Sequence, residues 1–158
     1  DHLLLLLAKH GLCDLKVQAE GDLYVDGHHT VEDTGIVLGQ ALALALGDKS
    51  GIRRYGTAFV PMDEALAMVV ADISGRPFLH FEAALPATQI GGYASELTEE
   101  FLRALAVQAG LTLHVRLLSG RNAHHMTEAI FKALGRALAE AVRIDGRIDG
   151  VLSTKGVL

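Results

Sequence analysis

Tryptophan is absent from this sequence of 158 residues, aromatic residues make up only 5% of it, and it contains a single cysteine. Hydrophobic residues nevertheless account for half of the chain, so the core must consist mainly of leucine, alanine, valine and isoleucine. The lone Cys13 excludes an internal disulfide and favours a reducing compartment, for which we take the cytoplasm. So much small apolar surface on a short chain predicts that part of it is buried between identical subunits.

Positive charge is also scarce. Lysine and arginine number 14 against 19 aspartates and glutamates, and the net charge of −5 argues against a nucleic-acid-binding surface. The leucine-rich run Leu3–Ala8 is much shorter than the roughly 20 apolar residues of a membrane-spanning helix, and no secretory signal is visible. We therefore expect neither a nucleic acid nor a membrane as a partner.

The sequence contains one pattern twice. His-His-x-x-Glu occurs at His28–Glu32 and at His124–Glu128, and each copy is followed by Leu-Gly-x-Ala-Leu-Ala-x-Ala. The same shift of 96 residues aligns residues 3–17 with residues 99–113. An internal duplication is the simplest explanation. We expect a first half-repeat at residues 1–50, whose N-terminal strands would lie upstream of the chain's first residue, and a second at residues 51–158, together forming one compact unit.

Each half is predicted to be α+β. In the second half, alternating residues predict three strands between about 53 and 85, a helix over 93–109 capped by Ser95 and stopped by Gly110, a strand over 111–120, and a helix over 123–143. Residues 3–17 of the first half similarly predict a helix followed by a short strand. Each half would be a small mixed sheet with two helices on one face, and the two His-His helices would pack against each other.

The two His-His pairs, His28-His29 and His124-His125, are called doublets below, and each has the chemistry of a metal site. Residues i and i+4 share one face of a helix, so His28 pairs with Glu32 and His124 pairs with Glu128. Imidazole and carboxylate are good ligands for Mn, Fe, Co, Ni or Zn, and a site with more than three protein ligands suits six-coordinate Mn²⁺. A single doublet would be more simply a solvated helix start. Two doublets in register favour metal.

The second histidine of each doublet, His29 or His125, lies about 100° further round its helix and would face a different ion. Two ions are therefore expected, with each helix contributing to both. Further imidazoles are available at His2, His10 and His114, although His10 is more simply a residue that interacts with a helix C-terminus. His80 has the setting of an ordinary strand residue.

A few cations stand out in this acidic chain as candidates to bind an anionic substrate. Arg54 begins a strand, Arg76 lies in a turn, and Lys132 follows Glu128 by one helical turn. Ser153, Thr154 and Lys155 combine hydroxyl and ammonium groups next to a glycine, as in a phosphate-binding loop. Each of these residues taken alone could equally be solvated surface.

The motifs together resemble the imidazoleglycerol-phosphate dehydratase family. The resemblance rests on "DH" at 1–2, "KHG" at 9–11, "GDLYVDGHHTVEDTGIVLG" at 21–39, "GIRRYG" at 51–56, "PMDEAL" at 61–66, "SGRP" at 74–77, "TLHV" at 112–115, "GRNAHHMTEAIFKALGRAL" at 120–138 and "STKG" at 153–156. It implies helices sandwiched between two sheets in a duplicated, ribosomal protein S5 domain 2-like fold. It also implies trimers that assemble into a 24-subunit homo-oligomer with sites shared between subunits.

The resemblance also implies a reaction, namely loss of water from D-erythro-imidazoleglycerol phosphate to give imidazole acetol phosphate in histidine biosynthesis, with two Mn²⁺ ions per active site. The implied metal ligands are His2, His28, His29, Glu32, His114, His124, His125 and Glu128. The implied phosphate-side contacts are Arg54, Arg76, Lys132, Ser153 and Lys155, with His10 joining them. Glu32 and Glu128 are candidate acid–base residues only if they are not fully committed as ligands.

The chain departs from the family pattern at two places. "DHLLLL" has Leu5 and Leu6 where the family has an acidic and an amide residue, and the family's N-terminal strands, with a glutamate thought to be catalytic, do not precede Asp1. Two alternatives therefore stay open. The protein could be another di-metal enzyme acting on phosphate esters, or a non-catalytic oligomer assembled by metal.

Overall fold

The computed structural model describes all residues, 1–158, and has the predicted α+β architecture. Its four helices and six strands follow one another along the chain as α1 (His2–Gly11), α2 (His28–Leu46), β1 (Tyr55–Met62), β2 (Ala65–Asp72), β3 (Phe78–Glu82), β4 (Gln89–Ile90), β5 (Tyr93–Ala94), α3 (Leu97–Ala109), β6 (Thr112–Ser119) and α4 (Ala123–Ala141). None of the helices has the length and apolar character required to cross a membrane.

Four strands form a mixed sheet in the order β1-β2-β6-β3, in which β3 runs parallel to β6 and the other pairs are antiparallel. Side chains alternate between the two faces of a strand, and one face carries small or branched apolar residues such as Ala67, Val69 and Val115, all fully buried. The other face exposes Tyr55, Phe59 and other large apolar side chains. The outer face therefore mixes exposed apolar side chains with polar ones such as His114 and Arg116, and only the inner face is covered by helices of the same chain.

The helices form two layers on the covered face. α4 packs on β1 and β2, α3 lies against β3, and the first-half helices lie outside them, with α1 on α4 and α2 on α3. The prediction that the two His-His helices, α2 and α4, pack on each other is wrong. Each takes the first helix of the opposite half as its main partner.

Glycines allow both helix pairs to pack closely. A Cβ atom on Gly135 of α4 would lie 2.6 Å from the carbonyl oxygen of Leu7 and 2.8 Å from the backbone nitrogen of Gly11. Gly39, at the matching position of α2, would place a Cβ 2.8 Å from the carbonyl oxygen of Leu105 in α3. Because neither helix pair has room for a side chain here, the glycine of the repeated Leu-Gly-x-Ala motif is what allows each pair to pack this closely.

Structurally equivalent residues of α1 and α3 lie 98 positions apart in the chain, two more than the shift of 96 that aligns the two halves of the sequence. Leu12 and Gly110, which lie 98 positions apart, both end their helix in the left-handed conformation, with φ of 53° and 67°. Leu7 and Leu105, which contact the paired glycines, are also 98 positions apart. The His-His helices keep the spacing of 96. The residue of α3 that corresponds to His2 is therefore Glu100.

Most of the predicted second-half elements are confirmed, namely the three strands between 53 and 85, the strand after Gly110 and the His-His helix. The helix predicted over 93–109 begins later, at Leu97, because Tyr93 and Ala94 pair with β4. Ser95 is not its N-cap. The hydroxyl of Ser95 instead donates to the carbonyl oxygen of Pro86 and accepts from the N–H of Thr88, which fixes the preceding loop.

The short strand predicted at the end of residues 3–17 does not form. Residues after Leu12 run without regular structure to the start of α2. The corresponding β6 has β2 and β3 as neighbours, whereas no strand of this chain lies beside residues 13–21. An alternating pattern cannot form a strand when its backbone groups have no partner strand. The four-stranded sheet is consequently built entirely from the second half.

We expect Gly135→Ala to lower the free energy of unfolding by about 1–3 kcal/mol, because the added methyl group must push α1 away from α4. Thermal denaturation monitored by circular dichroism measures this. The matched control is Gly146→Ala, at a site where a Cβ would meet no atom within 4 Å. Equal melting temperatures for the two variants would contradict the role of close packing.

Candidate metal centre

Both doublets begin a helix, but their starts are built differently. At α4, the side-chain oxygen of Asn122 accepts the backbone N–H groups of His124 and His125 at 2.9 and 3.3 Å. This is an N-cap, which orders the first helical turn. At α2 the N-cap is Gly27, and the carboxylate of Asp26 accepts only the N–H of His28, at 2.8 Å. The second doublet therefore has the more firmly held backbone.

Three predicted ligands converge where α1 packs on α4. The Nε2 atom of His2 lies 2.6 Å from Oε1 of Glu128, and Nε2 of His124 lies 2.9 Å from the same oxygen. One ligand atom from each of the three residues lies within 4.8 Å of the others. A carboxylate with two imidazoles suits a divalent transition metal. This cluster joins a residue of α1 to two residues of α4.

Glu128 is charged despite being buried. Burial alone would raise the pKa of its carboxyl group, but Lys132 and His2 outweigh that effect and lower the pKa to about 2. The ammonium group of Lys132 lies 2.7 Å from Oε2, the oxygen that does not face the imidazoles. Lys132 thus stabilises the carboxylate and leaves Oε1 directed at the two histidines.

The second histidines of the doublets face separate carboxylates. Nδ1 of His125 lies 2.8 Å from Oε2 of Glu64, and Nδ1 of His29 lies 2.7 Å from Oδ2 of Asp22. These bonds raise the pKa of both histidines, and His125 together with backbone N–H groups lowers the pKa of Glu64 to about 2. Sequence reasoning did not identify Glu64 or Asp22.

The first-half doublet lacks a third ligand within the chain. Nε2 of His28 lies 3.9 Å from a carboxylate oxygen of Glu32, and both side chains are about half exposed. Glu100, at the position corresponding to His2, supplies no imidazole here. The chain by itself therefore brings candidate ligands together at the second doublet only.

His114 is far from the doublets in the fold. It lies on β6, on the face of the sheet opposite the helices, and its ring lies beside that of His80, with 5.1 Å between ring centroids and an angle of 35° between the ring planes. The parallel register of β3 and β6 pairs these two residues directly. The structure thus places His114 on the exposed face, where it cannot join a cluster of its own chain.

Five of the predicted phosphate-side residues line one cavity of about 790 Å³ near the C-terminus. They are Arg54, Arg76, Ser153, Thr154 and Lys155. Arg147 also lines this cavity and was missed, since its only signal in the sequence is a glycine and two aspartates nearby. The result is a groove rich in donors and positive charge.

Arg54 and Arg76 are held differently in this groove. Arg54 donates to both carboxylate oxygens of Asp72, at 2.6 and 3.1 Å, and to the carbonyl oxygen of Leu152 at 2.9 Å. The bond to Asp72 raises the pKa of the guanidinium. Arg76 is 68% exposed and 3.9 Å from Asp72. Arg54 therefore fixes the groove wall, whereas the guanidinium of Arg76 donates only to the carbonyl oxygen of Ser74, at 3.3 Å, and exposes most of its side chain to a ligand.

The two other predicted phosphate-side residues, Lys132 and His10, lie outside the groove. Lys132 is paired with Glu128, as described above. His10 lies in the last turn of α1, level with Gly135 near the middle of α4. The groove itself is at the far end of α4, where the N–H of Arg54 donates to the carbonyl oxygen of Ala141. At 1.5 Å per residue, the metal cluster and the groove are roughly 25 Å apart along this helix.

We expect the metal-free protein to lose stability as the pH falls from about 4.5 towards 2. The folded-state pKa of Glu128 is about 2 and the ordinary value is 4.5, so its contribution is present above 4.5 and is lost as the carboxylate takes up a proton. The test is urea denaturation across this pH range, comparing the wild type with Glu128→Gln. The variant should be less stable at neutral pH, and the difference should shrink towards pH 2. A constant difference would contradict the assignment.

Comparison with known proteins gives a consistent result. A family model described as imidazoleglycerol-phosphate dehydratase matches residues 1–138. The imidazoleglycerol-phosphate dehydratases of Clostridium botulinum (strain Langeland) and Acetivibrio thermocellus are 64% and 62% identical to this chain over all 158 residues. The match covers 81% of each of these relatives.

Solved structures agree with the sequence relatives. The crystal structure of imidazoleglycerol-phosphate dehydratase from Staphylococcus aureus is similar with a TM-score of 0.85 and 48% identity, over 91% of this chain and 81% of that one. The enzyme from Pyrococcus furiosus, solved in complex with (S)-C348, gives a TM-score of 0.87 and 41% identity, over 99% and 84% of the two chains.

Proposed function

This chain belongs to the imidazoleglycerol-phosphate dehydratase family, hydro-lyases of histidine biosynthesis, and we propose that it converts D-erythro-imidazoleglycerol phosphate into imidazole acetol phosphate and water. The observation that carries the proposal furthest is the cluster of His2, His124 and Glu128, which joins both halves of the chain. A phosphate-binding groove and a metal-binding cluster are the two features that a metal-dependent reaction of a phosphate substrate requires.

The residues of the cluster fit a divalent metal ion. They offer two imidazole nitrogens and a carboxylate that is ionised at neutral pH, which is the donor chemistry of Mn²⁺ and its neighbours. We propose two Mn²⁺ ions per active site, held by His2, His28, His29, Glu32, His114, His124, His125 and Glu128. When bound, such ions would supply Lewis acidity and hold the substrate in a fixed orientation.

The phosphate of the substrate would occupy the C-terminal groove. The exposed cations there include Arg76 and Lys155, whereas Arg147 is already paired with Asp145. The hydroxyls of Ser153 and Thr154 can donate to phosphate oxygens, and Asp72 holds Arg54 in place. Lys132 and His10 would contact the substrate nearer the metal cluster. Because Lys132 keeps Glu128 ionised, it contributes to the metal site as well.

We propose that the acid–base residue is one of two glutamates, Glu32 or Glu128. Glu128 contacts His2, His124 and Lys132, so both of its oxygens are already engaged within the chain. Glu32 has only the long contact with His28. Glu32 is therefore the freer carboxylate to hold or move a proton.

The departures at Leu5 and Leu6 concern the same region. Both residues lie on α1, within one turn of His2, and Leu5 is 65% exposed. A leucine there cannot form a hydrogen bond to a substrate hydroxyl. We expect the substrate to be held chiefly by the doublet helices and the groove.

The distance between cluster and groove supports active sites shared between subunits. The two lie at opposite ends of α4, so a small substrate cannot reach both in one chain. The exposed sheet face, with Tyr55, Phe59 and Phe78, and the position of His114 on that face also suit contact with other copies. We propose the trimer-based 24-subunit assembly that the family resemblance implies, located in the cytoplasm.

Arg76→Ala and Lys155→Ala should each raise the KM for imidazoleglycerol phosphate by about 10-fold to 100-fold, because each removes a charged hydrogen bond to phosphate worth about 1.5–3 kcal/mol. Metal content should stay unchanged. Steady-state kinetics with product analysis tests this, and Arg136→Ala, an exposed arginine on α4, is the control. Turnover of another phosphate ester without formation of imidazole acetol phosphate would instead favour a different di-metal enzyme.

His124→Ala and Glu32→Gln should each reduce the bound metal per chain and weaken the large assembly. Metal analysis and light scattering, before and after treatment with a chelator, measure the two effects. A particle of unchanged size after complete metal removal would refute the link between metal and assembly. An assembly that depends on metal but has no dehydratase activity would favour the non-catalytic alternative.

A further inference from the structure

The second histidine of each doublet has a partner that the first histidine lacks. Nδ1 of His125 contacts Glu64 at 2.8 Å, and Nδ1 of His29 contacts Asp22 at 2.7 Å. Neither carboxylate belongs to the doublet's own helix, since Glu64 lies in the turn between β1 and β2 and Asp22 precedes α2. The two halves therefore reach the same arrangement with unrelated segments of chain.

This arrangement determines which ring nitrogen is available. A carboxylate can only accept a hydrogen bond, so Nδ1 must carry the proton in both rings. Nε2 of a neutral ring then retains its lone pair. Histidines that bind metals through one nitrogen usually donate from the other to a carboxylate or carbonyl, which fixes the tautomer and raises the basicity of the ligand.

We propose that Glu64 and Asp22 are positioning residues, which hold His125 and His29 with Nε2 free to bind a divalent metal ion. The inference rests on the proposed function, because it gives both histidines the role of metal ligands. It extends that function to two residues outside the doublets that act through the histidines and do not touch the metal.

Glu64 is the more rigid of the two. Its other oxygen, Oε1, accepts the backbone N–H groups of Arg121 and Asn122 at 3.1 and 2.8 Å, so the carboxylate cannot rotate without losing these bonds. It thereby connects the β1–β2 turn to the start of α4. The nearest carboxylate oxygen to Nε2 of His125 is that of Asp63 at 3.7 Å, too far for a hydrogen bond, so Nε2 stays open.

Asp22 holds His29 by a single side-chain bond, and the ring of His29 is 62% exposed against 26% for His125. No other side chain pairs with the Asp22 carboxylate. Because of this difference, Asp22→Asn and Glu64→Gln, which each replace a carboxylate by an amide, should affect their histidines differently. The side chain of Asp22→Asn can turn its oxygen towards His29 and preserve the tautomer.

Glu64→Gln cannot do the same. Its amide oxygen must remain with the N–H groups of Arg121 and Asn122, so the amide NH₂ faces Nδ1 of His125. Nδ1 must then accept, the ring proton moves to Nε2, and the metal-binding lone pair is lost. Glu64→Ala leaves the ring free to adopt either tautomer, although it removes the bonds that fix the turn. Glu64→Gln should therefore bind metal more weakly than Glu64→Ala, whereas Glu64→Ala should be the less stable of the two variants.

The experiment measures Mn²⁺ affinity by competition with a chelator and the melting temperature of the metal-free protein, for the full chain and its variants. We expect Glu64→Gln to weaken one class of Mn²⁺ sites by about 10-fold to 100-fold. Glu64→Ala should weaken it less and should have the lower melting temperature. Asp22→Asn should remain close to the wild type. The control is Glu140→Gln, since Glu140 also accepts a backbone N–H, that of Thr57 at 2.9 Å, but lies at the other end of α4.

Unchanged Mn²⁺ affinity in Glu64→Gln overturns the inference while leaving the proposed function intact. A greater loss of Mn²⁺ affinity in Glu64→Ala than in Glu64→Gln also overturns the inference, because such a result indicates that Glu64 only stabilises the β1–β2 turn. Equal weakening in Glu140→Gln has the same consequence. A wild-type protein that binds no Mn²⁺ refutes the metal dependence of the proposed function and, with it, this inference.

Discussion

The close approach of α1 to α4 at Gly135 is the constraint on which the candidate centre depends. Because no side chain separates the two helices at this point, α1 lies directly on the doublet helix and brings His2 to Glu128. The same motif in α2 allows close packing on α3, where Glu100 takes the position of His2. One packing rule applied twice therefore produces one cluster with three ligands and one doublet that remains incomplete within the chain.

Burial and charge act together at that cluster. Glu128 is nearly inaccessible to solvent, which by itself opposes ionisation, and Lys132 at one oxygen and His2 at the other restore the charged form. Lys132 pairs with Glu128 one turn before it on α4, and it does not line the groove that contains the candidate arginines. The groove achieves its positive charge by other means, through Arg76, Lys155 and Arg147, with Asp72 fixing Arg54.

The sequence predicted the features that depend on local periodicity. The doublets, the alternating strands of the second half and the stop at Gly110 all follow from neighbours along the chain. Partners across the fold were harder to predict. The strand expected near Val17 needs another strand beside it, and Ser95 is used by a loop that the helical pattern does not reveal. Glu64 and Asp22 lie 61 and 7 residues from their histidines, so no spacing rule finds them.

The length of α4 also fixes the distance between the candidate metal cluster and the groove. The helix carries candidate metal ligands near its first turn and contacts the segment before β1, with Arg54, at its last, so its residue count sets the spacing between the candidate metal cluster and the groove. Inserting or deleting one residue would change that spacing by only about 1.5 Å but would rotate one end against the other by about 100°. Such a change would turn either the imidazoles or the apolar stripe away from its partner. Substitutions can therefore accumulate along the exposed side of this helix, whereas its length cannot vary.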